Sequence, residues 1–183
     1  MKRFRTAMAA GALALAAAVA GPAVAQDAPQ APFGDKVSAA FVNYNRAFPT
    51  IATAGLLKAG AVAEAKRLGF KTVVDLRGPE EEGVAAEREA VEAAGLDYVS
   101  IPVTTRAPTM AQVAEFASIA DDATRHPILL HCVSANRAGG MWALYRASEG
   151  VPVEVAIEEG RTNGLTSREP AVRARLDAAL PTE

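Results

Sequence analysis

Cys132 is the one cysteine of the 183-residue sequence, and four residues, Val133, Ser134, Ala135 and Asn136, separate it from Arg137. Before it runs Ile128-Leu129-Leu130-His131, a strand-like apolar run, and after it a helical pattern from about Arg137 to Ser148. So short a connection must curl. A curl that feeds a helix N-terminus turns successive backbone N–H groups toward one spot, where amide dipoles and the positive helix end bind an oxyanion. Arg137 adds a planar, permanently charged fork suited to such an anion. The guanidinium and the helix dipole both favour thiolate over thiol at Cys132. One loop thus supplies a nucleophile and an anion hole, lined by Val133, Ser134, Ala135, Asn136 and Ala138, chiefly through their backbone N–H groups.

Each residue also has a plainer reading. Cys132 can be a small buried hydrophobe at a strand end, and Arg137 can pair with Glu158 or Glu159. His131 is either a core histidine bonded to backbone or a neighbour that tunes the thiol. Asp75 and Arg77 read as scaffold that hydrogen-bonds backbone or each other near the site. Arg106 is either a second anion contact from a neighbouring loop or a solvated surface charge. Glu80-Glu81-Glu82 reads as the start of a helix obeying the dipole, and Trp142 and Tyr145 as core-facing residues.

Composition narrows the chemistry further. Two histidines and one cysteine are too few for a structural zinc site, and no metal or organic cofactor is implied. The chain opens with Met1-Lys2-Arg3-Phe4-Arg5, continues in an apolar run from Ala7 to Ala20, and reaches Ala23-Val24-Ala25. This is the pattern of a secretory signal over residues 1–25, so the expected location is periplasmic or secreted. Gln26, not cysteine, follows, which argues against lipid attachment. A permanent anchor is the alternative, but nothing after the signal is apolar for the ~20 residues a membrane helix needs. Residues 26–38, rich in Pro, Ala and Gln, read as a disordered linker, and 39–183 as one domain. Cleavage would remove Lys2, Arg3 and Arg5 and no acid, so the formal balance moves from 19 − 21 to 16 − 21, or −5. A mildly acidic domain without a basic run argues against nucleic acid as partner.

The elements that must position the cysteine loop alternate from residue 57 onward, which is the rhythm of an α/β fold with a central, mostly parallel sheet flanked by helices. Strands are expected at 71–77, stopped by Gly78-Pro79, at 96–103 and at 128–131, the last apolar on both faces and therefore central. Helices are expected at 80–94, from Thr109 as N-cap to about Asp122, at 137–148, 152–163 and 167–180. The stretch 39–55 is the least legible, with Ile51-Ala52-Thr53 a strand and a helix following over 57–68. Strand ends at Asp75, Val103 and His131 then share one edge, where parallel sheets collect ligands.

Taken together, Val73-Val74-Asp75-Leu76-Arg77 with Glu80, then Ile101-Pro102-Val103, then Leu129-Leu130-His131-Cys132 with Arg137, resemble the cysteine-phosphatase superfamily of protein tyrosine and dual-specificity enzymes. More narrowly they resemble the small bacterial phosphatase-like domains named for their fusion to β-lactamase-like hydrolases. The resemblance runs from about Phe48 to about Ser167 and includes Ala52-Thr53-Ala54-Gly55 and Gly160-Arg161-Thr162-Asn163-Gly164-Leu165. It implies a cysteine-phosphatase-like fold, Cys132 as nucleophile, Arg137 as oxyanion clamp, and His131 as the residue that orients the loop and favours the thiolate.

Two features depart from the superfamily pattern. Tyrosine and dual-specificity phosphatases usually hold five residues between cysteine and arginine, whereas this loop holds four, as rhodanese-type sulfurtransferases do. The loop Thr104-Thr105-Arg106-Ala107-Pro108 also lacks the aspartate that usually protonates the leaving alkoxide, help typically worth ~10²–10⁴ in rate. The expected function is hydrolysis of a phosphate ester on a small anionic or phosphorylated substrate, through a thiophosphate on Cys132. The alternatives are a sulfurtransferase carrying a persulfide on Cys132, although Val133 and Ala135 fit that consensus imperfectly, and a catalytically silent anion-binding module.

Overall fold

A computed structural model of the protein describes residues 36–179. The signal segment and all but the last few linker residues lie outside this range. Five strands form one sheet in the order β1-β2-β5-β3-β4. They are β1 (Asn45–Phe48), β2 (Ile51–Ala54), β3 (Thr72–Asp75), β4 (Asp97–Ser100) and β5 (Ile128–His131). All neighbours are parallel except the edge pair β1–β2. β5 lies at the centre, with His131 in register with Ala54 on one side and Asp75 on the other. Its four residues are fully buried, as a strand apolar on both faces must be.

Side-chain alternation along β5 divides the core. Ile128, Leu130 and Cys132 face a cluster containing Val113, Phe116, Met141, Trp142 and Ile157. These come from α3 (Met110–Ala120), α4 (Asn136–Ser148) and α5 (Val153–Thr162), with α6 (Glu169–Ala179) adding Val172 and Leu176. Leu129 faces the opposite layer, where α1 (Ala61–Arg67) and α2 (Val84–Ala93) bring Ala61, Ala65 and Val91 against Phe70 and Val73. Trp142 and Tyr145 are buried and their rings pack at a tilt of 53°, 5.6 Å between centroids, as expected of core residues. Burying a large apolar side chain contributes roughly 1.5–3 kcal/mol relative to exposure, so the two-sided core fixes β5 firmly beneath the cysteine loop.

Some boundaries differ from the sequence reading. Thr109 does cap α3, accepting from the Gln112 N–H at 3.2 Å in a reciprocal box. The helix expected over 80–94 starts only at Val84, because Gly83 in a left-handed conformation caps it and Glu80–Glu82 form the turn before. The helix expected over 57–68 is shortened to α1 for the same reason, with left-handed Gly60 at its start. β1 was not anticipated: Asn45-Arg46-Ala47-Phe48 shows neither a β-branched run nor strict alternation, and antiparallel pairing to β2 creates it.

Candidate active site

Cys132 follows the last residue of the central strand and is 1% exposed. The next three residues turn the chain into α4, with Ala135 as N-cap at φ 67°. A non-glycine residue in the left-handed region costs roughly 1–2 kcal/mol, so the surroundings must hold it there. They do so closely: a Cβ on Gly164, itself at φ 101°, would lie 2.5 Å from Ala135 Cβ, and one on Gly55 would lie 2.7 Å from the Val133 carbonyl. Both neighbours press against the loop as only glycine allows.

The loop carbonyls are occupied on its outside. Val133 O accepts from Leu56 N at 2.8 Å, and Ser134 O accepts from Asn43 Nδ2 at 3.1 Å. Trans peptide geometry then turns the N–H groups of Ser134 and Ala135 to the opposite side. Among the described residues the backbone N–H groups of residues 133 to 138 donate to no protein acceptor, the condition of an anion-binding nest continuous with a helix start. Of the residues expected to line it, Ala135 and Ala138 are buried, Val133 and Ser134 are exposed, and Asn136 is intermediate. The Asn136 side chain reaches away from the loop: its Oδ1 accepts from Thr166 N and its Nδ2 donates to Ser167 Oγ, both at 2.9 Å.

Arg137 does not pair with Glu158 or Glu159. Its Nη1 and Nη2 donate to the two carboxylate oxygens of Glu81 at 2.5 and 2.7 Å, and Nη1 also lies 3.3 Å from Leu76 O and 3.4 Å from Val103 O. Glu81 Oε1 in turn accepts from Gly78 N at 2.7 Å. The guanidinium is therefore gripped along one edge, leaving Nε–H and one Nη2 hydrogen of its five donors uncommitted. The bonds from Arg137 hold the Glu81 carboxyl below its ordinary range. Glu81 and then, against the cost of burial, the charge of Cys132 hold Arg137 above its own.

His131 points to the other side of the sheet, into a buried cluster. Its Nε2 lies 2.9 Å from Glu87 Oε1 and 3.7 Å from Asp75 Oδ1. Arg77 bridges both acids through Nη2, at 2.7 Å to Asp75 and 2.8 Å to Glu87, and Tyr98 donates to Asp75 at 2.8 Å. The Glu87–His131 contact is close but off the hydrogen-bond line. Burial alone would raise the Asp75 carboxyl, but the Arg77 bonds and the charges of His131 and Arg77 outweigh it and hold the group below its ordinary range. Asp75, Glu87 and His131 also bring three ligand-type atoms within 4.8 Å of one another. The Arg77 guanidinium already sits against both carboxylates, so a cation there would meet a like charge. The scaffold reading of Asp75 and Arg77 agrees with these contacts.

Two members escaped the sequence reading. Glu81 looked like an ordinary helix-start acid, and nothing local to it names Arg137 as partner. Glu87 did leave a trace: it occupies the stripe of buried Val84 and Val91 on α2, where a carboxylate needs a partner. Arg106 donates to Ser167 O at 3.1 Å from the loop that follows β4.

Comparison with known proteins bears on the family and the fold. Residues 54–174 match the model of a family described as DSP-PTPase phosphatase fused to NAD+ kinase. The β-lactamase hydrolase-like protein of Agrobacterium fabrum is 34% identical over 102 residues, covering 53% of this chain and 23% of that protein, so this chain spans about a quarter of its relative. Among solved structures, a candidate phosphatase from Neisseria meningitidis superposes with TM-score 0.63 at 26% identity, over 75% of this chain and 99% of the other. TpbA of P. aeruginosa, solved in complex with phosphotyrosine, superposes with TM-score 0.58 at 26% identity, over 79% of this chain and 99% of the other. The chain belongs to the DSP-PTPase family whose model it matches over residues 54–174.

Proposed function

We propose that this protein is an exported phosphomonoesterase, periplasmic or secreted, in which Cys132 is the nucleophile and Arg137 the oxyanion clamp. The observation that carries this reading is the pairing of a sulfur at the head of an acceptor-free amide loop with a guanidinium gripped by Glu81 along its far edge. The phosphoryl group sits on the N–H groups of residues 133–138 and on the two uncommitted donors of Arg137. The Cys132 thiolate attacks phosphorus, the S–P bond forms, and the P–O bond to the leaving group breaks. Water then attacks the phosphocysteine, the S–P bond breaks, and inorganic phosphate leaves with the thiolate restored. His131 acts at one remove, locking the end of β5 through the buried cluster.

Leaving-group chemistry sets the preference. No carboxylate stands in the 104–108 loop, and Glu81, held ionised by Arg137, is a poor proton donor near neutral pH. Substrates whose oxygen departs without protonation, aryl phosphates above all, are therefore favoured over alkyl phosphates. A cavity of about 690 Å³, bordered on one side by Leu57, Val62, Ala86, Ala90 and Val133 and elsewhere by charged residues that include Lys58 and Glu82, lies beside the loop with room for an aromatic group. The phosphotyrosine held by TpbA supports the same preference.

The test is turnover of an aryl phosphate by the mature protein, with thiosulfate plus cyanide as the parallel assay. Hydrolysis lost in a folded Cys132→Ser variant supports the proposal. Thiocyanate formation in place of phosphate release would support the sulfurtransferase reading that the four-residue loop keeps open. Activity in neither assay with an intact thiol leaves an anion-binding module. Export is tested by fractionation: a mature protein beginning at Gln26 outside the cytoplasm agrees, and a full-length cytoplasmic protein refutes it.

A further inference from the structure

A second cavity, about 480 Å³, adjoins the Arg137 edge of the loop and is bordered by Glu80, Glu81, Thr104, Arg137 and Arg168. Arg168 and Arg106 differ from most arginines among the described residues. Arg146, Arg161 and Arg173 each hold a carboxylate. Arg168 instead donates to Thr105 O at 2.6 Å and Arg106 to Ser167 O at 3.1 Å, and neither forms an ion pair among the described residues. Glu81 is spent on Arg137, and Glu80 is exposed.

These contacts lock the 104–108 loop and the 166–168 segment together, and the same segment is fixed to the anion loop. Asn136 binds Thr166 and Ser167, and Gly164 packs on Ala135. Arg168 is thus held at a set position beside Arg137. The juxtaposition is unfavourable in the free protein: burial first, then the charge of Arg137, press the Arg168 guanidinium below its ordinary range. Two like charges facing one cavity, neither free to swing away, gain when an anion enters between them. Arg168 keeps four of its five donors after the bond to Thr105.

We propose that Arg168, with Arg106 behind it, forms a second anion subsite, so that the substrate of the Cys132 loop carries a second phosphoryl group on its organic part. This rests on the phosphomonoesterase reading and adds the class of substrate to it. The subsite is measured by calorimetric binding of 1,4-phenylene bisphosphate and phenyl phosphate to the Cys132→Ser protein, which needs no turnover. The bisphosphate should bind about tenfold more tightly, the scale of a charge-assisted hydrogen bond. Adding Arg168→Ala should erase most of that ratio, and Arg168→Lys should keep part of it. Should the Arg168→Ala protein not fold, Arg106→Ala reads the same ratio and should lower it. Equal binding of the two probes by Cys132→Ser, or a ratio that survives removal of Arg168, overturns the subsite. Failure of the hydrolase reading appears elsewhere, as absent turnover of phenyl phosphate by the wild-type protein.

Discussion

Replacing Arg77 by methionine tests whether the buried cluster behind the cysteine loop is held by charge. The arginine is 1% exposed, and its partners Asp75 and Glu87 are 0% and 7% exposed, so solvent screens none of these contacts appreciably. Methionine fills much of the volume but leaves the two carboxylates facing each other without the guanidinium that bridges them. Breaking a buried pair by removing one partner costs about 3–5 kcal/mol, which for a domain of this size lowers Tm by about 10–20 °C. The pH dependence gives a sharper reading. In the wild type the Asp75 carboxyl titrates below its ordinary value, so its contribution is present above the ordinary carboxylate range and is lost as pH falls through the folded value. Without Arg77, burial is left with less to oppose it and pushes the Asp75 carboxyl the other way. Its contribution is then present in acid and lost as pH rises. The stability gap between wild type and Arg77→Met should therefore be widest near about pH 7.5 and narrower near about pH 5. Urea unfolding at both pH values measures it. A loss under about 1 kcal/mol at neutral pH, or a gap that does not change with pH, would falsify the ionic account of the cluster.

Other outcomes follow from the loop itself. Arg137→Lys replaces a fork by a point charge and loses the two-pronged grip of Glu81, so inhibition by vanadate or sulfate should weaken about ten- to a hundredfold. Unchanged inhibition constants contradict the clamp. Gly164→Ala must seat a methyl group 2.5 Å from Ala135 Cβ at φ 101°. It should destabilise by about 2–4 kcal/mol and weaken phosphate binding together, read by thermal unfolding with and without phosphate; a variant within ~0.5 kcal/mol of wild type removes the close packing from the argument. Cys132→Ser should leave the unfolding transition in place while abolishing aryl phosphate turnover. Retained turnover takes the sulfur out of the chemistry.

Much of this architecture is written locally. The strand Ile128–His131, the four-residue loop and the helix after it are contiguous, and apolar run, turn and helical pattern are each decided by near neighbours in sequence. The Thr109 cap and Gln112 three residues later are legible for the same reason. The sequence by itself thus determined the α/β class, the central place of β5 and the succession of strand end, thiol, tight loop and helix start. Only the tertiary structure decided which charges meet. Glu81 reaches Arg137 across 56 residues, Arg168 meets Thr105 across 63, and His131 meets Glu87 because sheet alternation sends its ring to the layer of α2 while Cys132 faces α4. A carboxylate in a sequence has many candidate partners. Burial selects among them, because a charge removed from water must find its counter-charge where the packed elements happen to place one.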